Sequence, residues 1–260
     1  MRYFVADGRS DCGQVRGHNE DSFRIDSERG LFVVADGMGG HAGGEVASAL
    51  AVETVCKTLL GDKGGKTGIC NAKALQAAIE LANTTIYQDA GNNPVRKGMG
   101  TTLTCMCWDR CQLHLGHVGD SRAYRLRGHE LVQLTRDHTW VDMQVRAGVL
   151  SQHEADHDRM RHVLVKSLGT QPGIEPDIIP VDAEPKDRFL LCSDGLSDLV
   201  GHDDLRDILA GNGTLAEIAG RLVEKANAVG GRDNITAVVI DCYDNKWKSI
   251  LKSAINRIRR

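Results

Sequence analysis

Aspartates followed by glycine, or set in a tight turn, recur where apolar runs end: Asp36-Gly37-Met38-Gly39-Gly40, Gly119-Asp120-Ser121, Ser193-Asp194-Gly195 and Gly230-Gly231-Arg232-Asp233-Asn234. Arg16-Gly17-His18-Asn19-Glu20-Asp21 adds two acids near the start. Carboxylate and carbonyl oxygens are hard ligands that suit Mg2+ or Mn2+ rather than Zn2+ or copper. A glycine after the aspartate lets the backbone turn, so that a carbonyl can face an ion as well. Gathered in one place, such acids repel one another unless cations neutralise them. One Asp-Gly pair is ordinary turn chemistry. Five sites on one chain, most of them directly after buried-looking strands, are not explained that way. The chemistry they predict is a divalent cation held by carboxylates.

The elements that must position these residues are legible from apolar patterning. Leu31 to Ala35 is a continuous apolar run, as in a strand covered on both faces. Thr101 to Cys107, Gln112 to Val118, Ala123 to Leu126 and Glu130 to Leu134 read as close-set strands, with hairpin turns at Trp108-Asp109-Arg110, Gly119-Asp120-Ser121 and Arg127-Gly128-His129. Arg188 to Cys192 and Ile235 to Cys242 are later strands. Helical spacing of apolar residues runs over Glu45 to Leu60, Ala72 to Asp89 and Leu215 to Ala228. Hairpin-linked strands with helices grouped between them point to an α+β fold rather than strict βαβ alternation. Gly61 to Gly68 is a Gly/Lys-rich loop, and no internal repeat is present.

Six motifs in this order, Arg16-x-x-Asn19-Glu20-Asp21, Asp36-Gly37-Met38-Gly39-Gly40-His41, Gly100-Thr101-Thr102, Gly119-Asp120-Ser121-Arg122, Ser193-Asp194-Gly195 and Asp233-Asn234-Ile235-Thr236, closely resemble those of the bacterial metal-dependent protein phosphatases of type 2C. The resemblance spans roughly Met1 to Asp241. It implies two packed antiparallel β-sheets flanked by helices, an α-β-β-α sandwich, with a helical flap at about 139–166 near the active site. It also implies two Mn2+ or Mg2+ ions, with a third in bacterial relatives. On that resemblance Asp36 bridges two metals, the Gly37 carbonyl binds one, and Asp194 and Asp233 bind the other. Asp120 with Asp194 takes the third. Glu20 and Asp21 hold water behind the ions, with Asn234 beside them, and Arg16 grips the substrate phosphate. The activity implied is hydrolysis of phosphoserine and phosphothreonine by a metal-bridging hydroxide, opposing Ser/Thr kinases. A catalytically silent phosphoprotein-binding module and a small-metabolite phosphatase are the alternatives on the same fold. Met38 stands where eukaryotic relatives carry a histidine, and His41 is the candidate general acid in its place.

Composition narrows the field. The 260 residues are 41% hydrophobic and 26% charged, which is globular, and a net charge of −3 gives no pull toward nucleic acid. The start lacks an apolar leader, no run is long enough to span a membrane, and eight scattered cysteines suit reduced thiols. A cytoplasmic monomer is expected, meeting phosphorylated proteins and a cognate Ser/Thr kinase system. The catalytic domain is placed at 1–243. The tail at 244–260 carries Lys246, Lys248, Lys252, Arg257, Arg259 and Arg260 with apolar residues at near-helical spacing. It reads as an amphipathic helix docked on the domain, with an anionic membrane surface as the alternative contact.

Other signals carry less. His153-Glu154-Ala155-Asp156-His157 matches a zinc-protease pattern, but Ser151 to Glu154 is a capping box and the flanks are polar. Cys105, Cys107 and Cys111 lack a fourth soft ligand, and no C-x5-R loop surrounds any cysteine. Gly37 to Gly44 lacks the Gly-Lys-Ser/Thr ending of a nucleotide-binding loop.

Overall fold

A computed structural model describes residues 2–39, 43–61 and 70–244. The chain opens with three strands, β1 (Arg2–Asp11), β2 (Asp21–Asp26) and β3 (Leu31–Met38), followed by two long helices, α1 (Gly43–Leu60) and α2 (Ala72–Asn92). Five strands come next: β4 (Gly100–Thr101), β5 (Leu103–Trp108), β6 (Leu113–Val118), β7 (Arg122–Arg127) and β8 (Glu130–Gln133). Short helices α3 (Trp140–Arg146) and α4 (Gln152–His157) precede β9 (Asp177–Val181) and β10 (Arg188–Cys192). Helices α5 (Asp194–Ser197), α6 (His202–Ala210) and α7 (Leu215–Ala228) lead to the final described strand, β11 (Ile235–Asp244).

These strands form two antiparallel sheets, one ordered β1-β11-β10-β7-β8 and the other β2-β3-β5-β6-β9, with β4 paired to β3. The period-2 alternation of side chains explains why the central strands are apolar throughout. On β3, Leu31, Val33 and Ala35 face α1 and α2, whereas Phe32 and Val34 face the other sheet. On β11, Ile235, Ala237 and Val239 face the layer of α6 and α7, and Val238 and Ile240 point between the sheets. Three apolar layers result, in the order helices, sheet, sheet, helices. The α-β-β-α sandwich expected from the resemblance is the observed fold.

Some expectations change. Strands β1, β2 and β9 are additional to those expected; they lie at sheet edges and have one fully buried position each. Helix α6 is short and opens His202-Asp203-Asp204, and it too escapes the patterning. The turn at Gly119-Asp120-Ser121 is not a hairpin. Strand β6 belongs to one sheet and β7 to the other, so this turn carries the chain across the sandwich. Thr101 to Cys107 is broken at Thr102 into β4 and β5. Cys70 and Cys107 form a disulfide, Cα atoms 5.8 Å apart, contrary to the reduced thiols expected. Packing of α2 against the β3–β5 sheet brings together two cysteines that spacing alone does not relate. The other six cysteines are free. No described helix is long and apolar enough to cross a membrane. Strand β11 runs through Asp244, the first residue of the expected tail; the remainder, 245–260, lies outside the described residues, as do His41 and nearly all of the Gly/Lys-rich loop.

Candidate metal centre

Antiparallel pairing brings the acidic turns to one end of the sandwich. Asp36 sits near the end of β3 directly opposite Asp21 at the start of β2. Asp194 follows β10 and Asp233 precedes β11, and these two strands are hydrogen-bonded neighbours. Asp120 lies in the turn that crosses between sheets. A cleft of about 440 Å3 opens over Arg16, Glu20, Asp36, Gly37, Asp120, Asp194, Asp233 and Asn234. Among the described residues, all the predicted site residues except Asp21 therefore line one cavity, and Asp21 is buried directly opposite Asp36. Gly37 has to be glycine: a Cβ there would lie 2.0 Å from the Gly44 carbonyl oxygen and 2.7 Å from that of Glu20.

The electrostatics are those of a site that wants cations. Burial, followed by the charges of Asp21, Asp194 and Asp120, pushes the Asp36 carboxyl well above the usual carboxylate range. Burial with Asp194, Asp137 and Asp198 does the same for Asp120. Asp194 is pushed up to about 6 by burial and by Asp198 and Asp233, and Asp21 up to about 7 by burial against the opposing hydrogen bonds from Thr236 and Ser193. Oδ1 of Asp194 and Oδ1 of Asp21 are buried with no hydrogen-bond partner. A buried, unpaired carboxylate oxygen is costly, and a hard divalent ion would satisfy it. The donor set is all oxygen. These residues fit Mn2+ or Mg2+.

A hydroxyl network supports the acids, built from motif residues whose roles the motifs themselves do not reveal. Ser193 Oγ and Thr236 Oγ1 both donate to Asp21 Oδ2, at 2.8 and 2.6 Å. Thr102 Oγ1 accepts from the Asp36 N–H at 3.0 Å and meets Ser121 Oγ at 2.7 Å. Asn234 ties the start of β11 to the loop before β2: its Oδ1 accepts from the Glu20 N–H, and its Nδ2 donates to the carbonyls of Cys12 and His18. Arg16 stands at the mouth, its guanidinium donating to Asp233 Oδ2 at 2.7 Å.

The segment expected to be a flap contains α3 and α4. Thr139 and Leu164 are bridged at its base, and the Trp140 N–H donates to the Val163 carbonyl at 2.8 Å. His162 and Leu164 reach the cleft. His162 Nδ1 lies 3.4 Å from Asp198 Oδ2 and 4.0 Å from Asp194 Oδ2. The motifs did not single out Asp198; its one sequence signal is its place four residues after Asp194, and nothing in the sequence ties His162 to it. The capping box at Ser151 and Glu154 is present, and His153 and His157 are exposed.

Hard oxygen donors gathered beside an arginine, at one end of two packed antiparallel sheets, define a metal-dependent hydrolase of the phosphatase kind. Comparison with known proteins gives the family. The profile of protein phosphatase 2C matches residues 12–229. The serine/threonine phosphatase stp of Listeria monocytogenes is 37% identical over 244 residues, covering 91% of this chain and 95% of that one. The serine/threonine protein phosphatase PstP of Mycobacterium tuberculosis is 41% identical over 251 residues, which are 95% of this chain but 47% of PstP. The crystal structure of PstP superposes with a TM-score of 0.84 at 40% identity, covering 93% of this chain and all of that one. A structure of the PstP catalytic domain with two manganese ions gives 0.82 at 39% identity, over 94% of this chain and all of that one. The chain belongs to the protein phosphatase 2C family.

Proposed function

We propose that this chain is a protein serine/threonine phosphatase, with Asp36 bridging two Mn2+ or Mg2+ ions, the Gly37 carbonyl on one, Asp194 and Asp233 on the other, and Asp120 with Asp194 holding a third. The observation that carries the reading is the convergence of four carboxylates from distant turns on one cleft, with the Asp194 oxygen buried and unpaired, beside the Arg16 guanidinium. The names of the Listeria and Mycobacterium relatives support the substrate class. When bound, the ions supply Lewis acidity, acidifying a water and offsetting charge on the phosphate oxygens.

The protein's own groups do the rest. Arg16 donates to Asp233 Oδ2 at the cleft mouth, and its planar guanidinium is the group there that would grip two phosphate oxygens. Held there, it offsets the charge that spreads over the equatorial oxygens during in-line displacement. Glu20 and Asp21 orient water behind the ions, and Asn234 fixes the backbone that carries Glu20. Burial pushes the Cys192 thiol, two residues before Asp194, up to about 12, so it is protonated and a poor nucleophile. The 139–166 segment acts as the flap, presenting His162 and Leu164 to the substrate, and residues 1–243 form the catalytic unit. The partners are phosphorylated proteins in the cytoplasm, the opposing activity is a Ser/Thr kinase, and the working state is a monomer.

Phosphate release from a phosphothreonine peptide tests this directly. Turnover is expected with Mn2+, none with EDTA, and none in Asp36→Asn with its circular dichroism unchanged. A wild-type chain that binds the peptide without releasing phosphate would be the silent module instead. Turnover confined to small phosphate monoesters would make it a metabolite enzyme.

A further inference from the structure

His138 is not among the residues that line the cleft, yet it holds the turn that carries Asp120 through both backbone groups of Gly119. Its N–H donates to the Gly119 carbonyl at 2.7 Å, and its Nδ1 accepts from the Gly119 N–H at 3.1 Å. Because Nδ1 accepts, the ring proton sits on Nε2, which faces Asp177 Oδ2 at 3.2 Å and donates to it. Two hydrogen bonds thus fix the tautomer. Asp177 is itself held by Lys166, whose Nζ is 3.7 Å from Oδ1. The imidazole is only 9% exposed and packs 4.8 Å from the His117 ring, and burial lowers its basicity, which keeps it neutral and able to accept. Gly119 is confined from the other side as well: at φ +106, a Cβ would lie 2.6 Å from Thr102 Cγ2. The carbonyl of His138 accepts from the Val165 N–H at 2.8 Å, so the same residue also anchors the end of the 139–164 segment.

We propose that His138, oriented by Asp177, is a positioning residue that sets the Gly119-Asp120 turn and thereby the affinity of the ion bound through Asp120. The inference rests on the reading of Asp120 as ligand of a third ion. Partners of this kind, which fix a ligand without touching the metal, typically change metal affinity by about 10- to 100-fold when removed.

The test is a Mn2+ titration of the full chain, followed by loss of the free-ion electron paramagnetic resonance signal. Asp120→Asn should delete the weakest site and leave the tighter ones. His138→Ala should weaken that same site by about tenfold or more, tighter sites unchanged. In His138→Asn the amide oxygen takes the place of Nδ1 and should restore most of the lost affinity. If Asp120→Asn loses the weak site and His138→Ala binds as wild type, the positioning role is overturned while the ligand reading stands. If Asp120→Asn itself binds as wild type, both fall. Thermal melts of the metal-free proteins identify a variant that does not fold. Should His138→Ala be such a variant, His138→Asn is compared with His138→Gln, whose oxygen sits one bond too far. Asn binding the weak ion more tightly than Gln supports the role, and equal or reversed ranking overturns it.

Discussion

Arg16 is the residue whose two partners make its contribution measurable. Half-exposed at the cleft mouth, it bonds Asp233 at 2.7 Å, a pair of little stabilising value at that exposure. Its worth lies in substrate binding. A hydrogen bond to a charged group contributes about 1.5–3 kcal/mol, so Arg16→Ala is expected to lower kcat/KM on a phosphopeptide by about 10- to 100-fold. The metal-free melting temperature should stay within a degree or two, as for ordinary surface changes (about ±0.5 kcal/mol). Steady-state kinetics and a melt of the same preparation check both. Retained kcat/KM would remove Arg16 from the substrate site.

Among the elements, the telling connection runs between β3 and the crossing turn. Thr102 breaks what patterning reads as one strand into β4 and β5, and its hydroxyl takes the Asp36 N–H on one side and Ser121 on the other. Thr102→Val keeps the shape and removes the hydroxyl, leaving a backbone donor unpaired in a buried place. The expected loss is about 1–3 kcal/mol in urea unfolding, accompanied by weaker Mn2+ binding. A loss of stability with metal affinity untouched would mean that this tie supports the fold alone. The central strands and long helices were legible because burial on one or both faces writes itself into side-chain period. The edges β1, β2 and β9 were not, since each has a single fully buried position and too little core contact to impose a clear period.

For the molecule as a whole, the acid cluster couples metal, proton and fold. Burial raises Asp21 to about 7 and Asp194 to about 6, so the folded metal-free chain binds these protons more tightly than the unfolded chain does. Their stabilising contribution is complete below the ordinary carboxylate range and is lost as pH rises through about 6 to about 7. Metal-free protein should therefore melt progressively lower between pH 5 and pH 8. Divalent ions displace the protons and neutralise the cluster, so the rise in melting temperature on adding Mn2+ should be larger at pH 8 than at pH 5. Differential scanning calorimetry at both pH values, with EDTA and with Mn2+, gives the four numbers. A metal-free melt that climbs with pH would contradict the arrangement.

The sequence alone determined the chemistry of the site, because hard-oxygen ligands, the glycines that let backbone approach them, and the arginine beside them are residue types at fixed local spacings. It also determined the central strands and the long helices, through apolar periodicity. Only the tertiary structure decided that Gly119-Asp120-Ser121 passes between sheets, that Cys70 meets Cys107, that His138 holds Gly119, and that His162 and the hydroxyls of Thr102, Ser193 and Thr236 lie beside the acids. Each of those facts joins residues far apart in the chain, and contacts of that kind are set by which strands pair and which faces pack, information that no local window of residues carries.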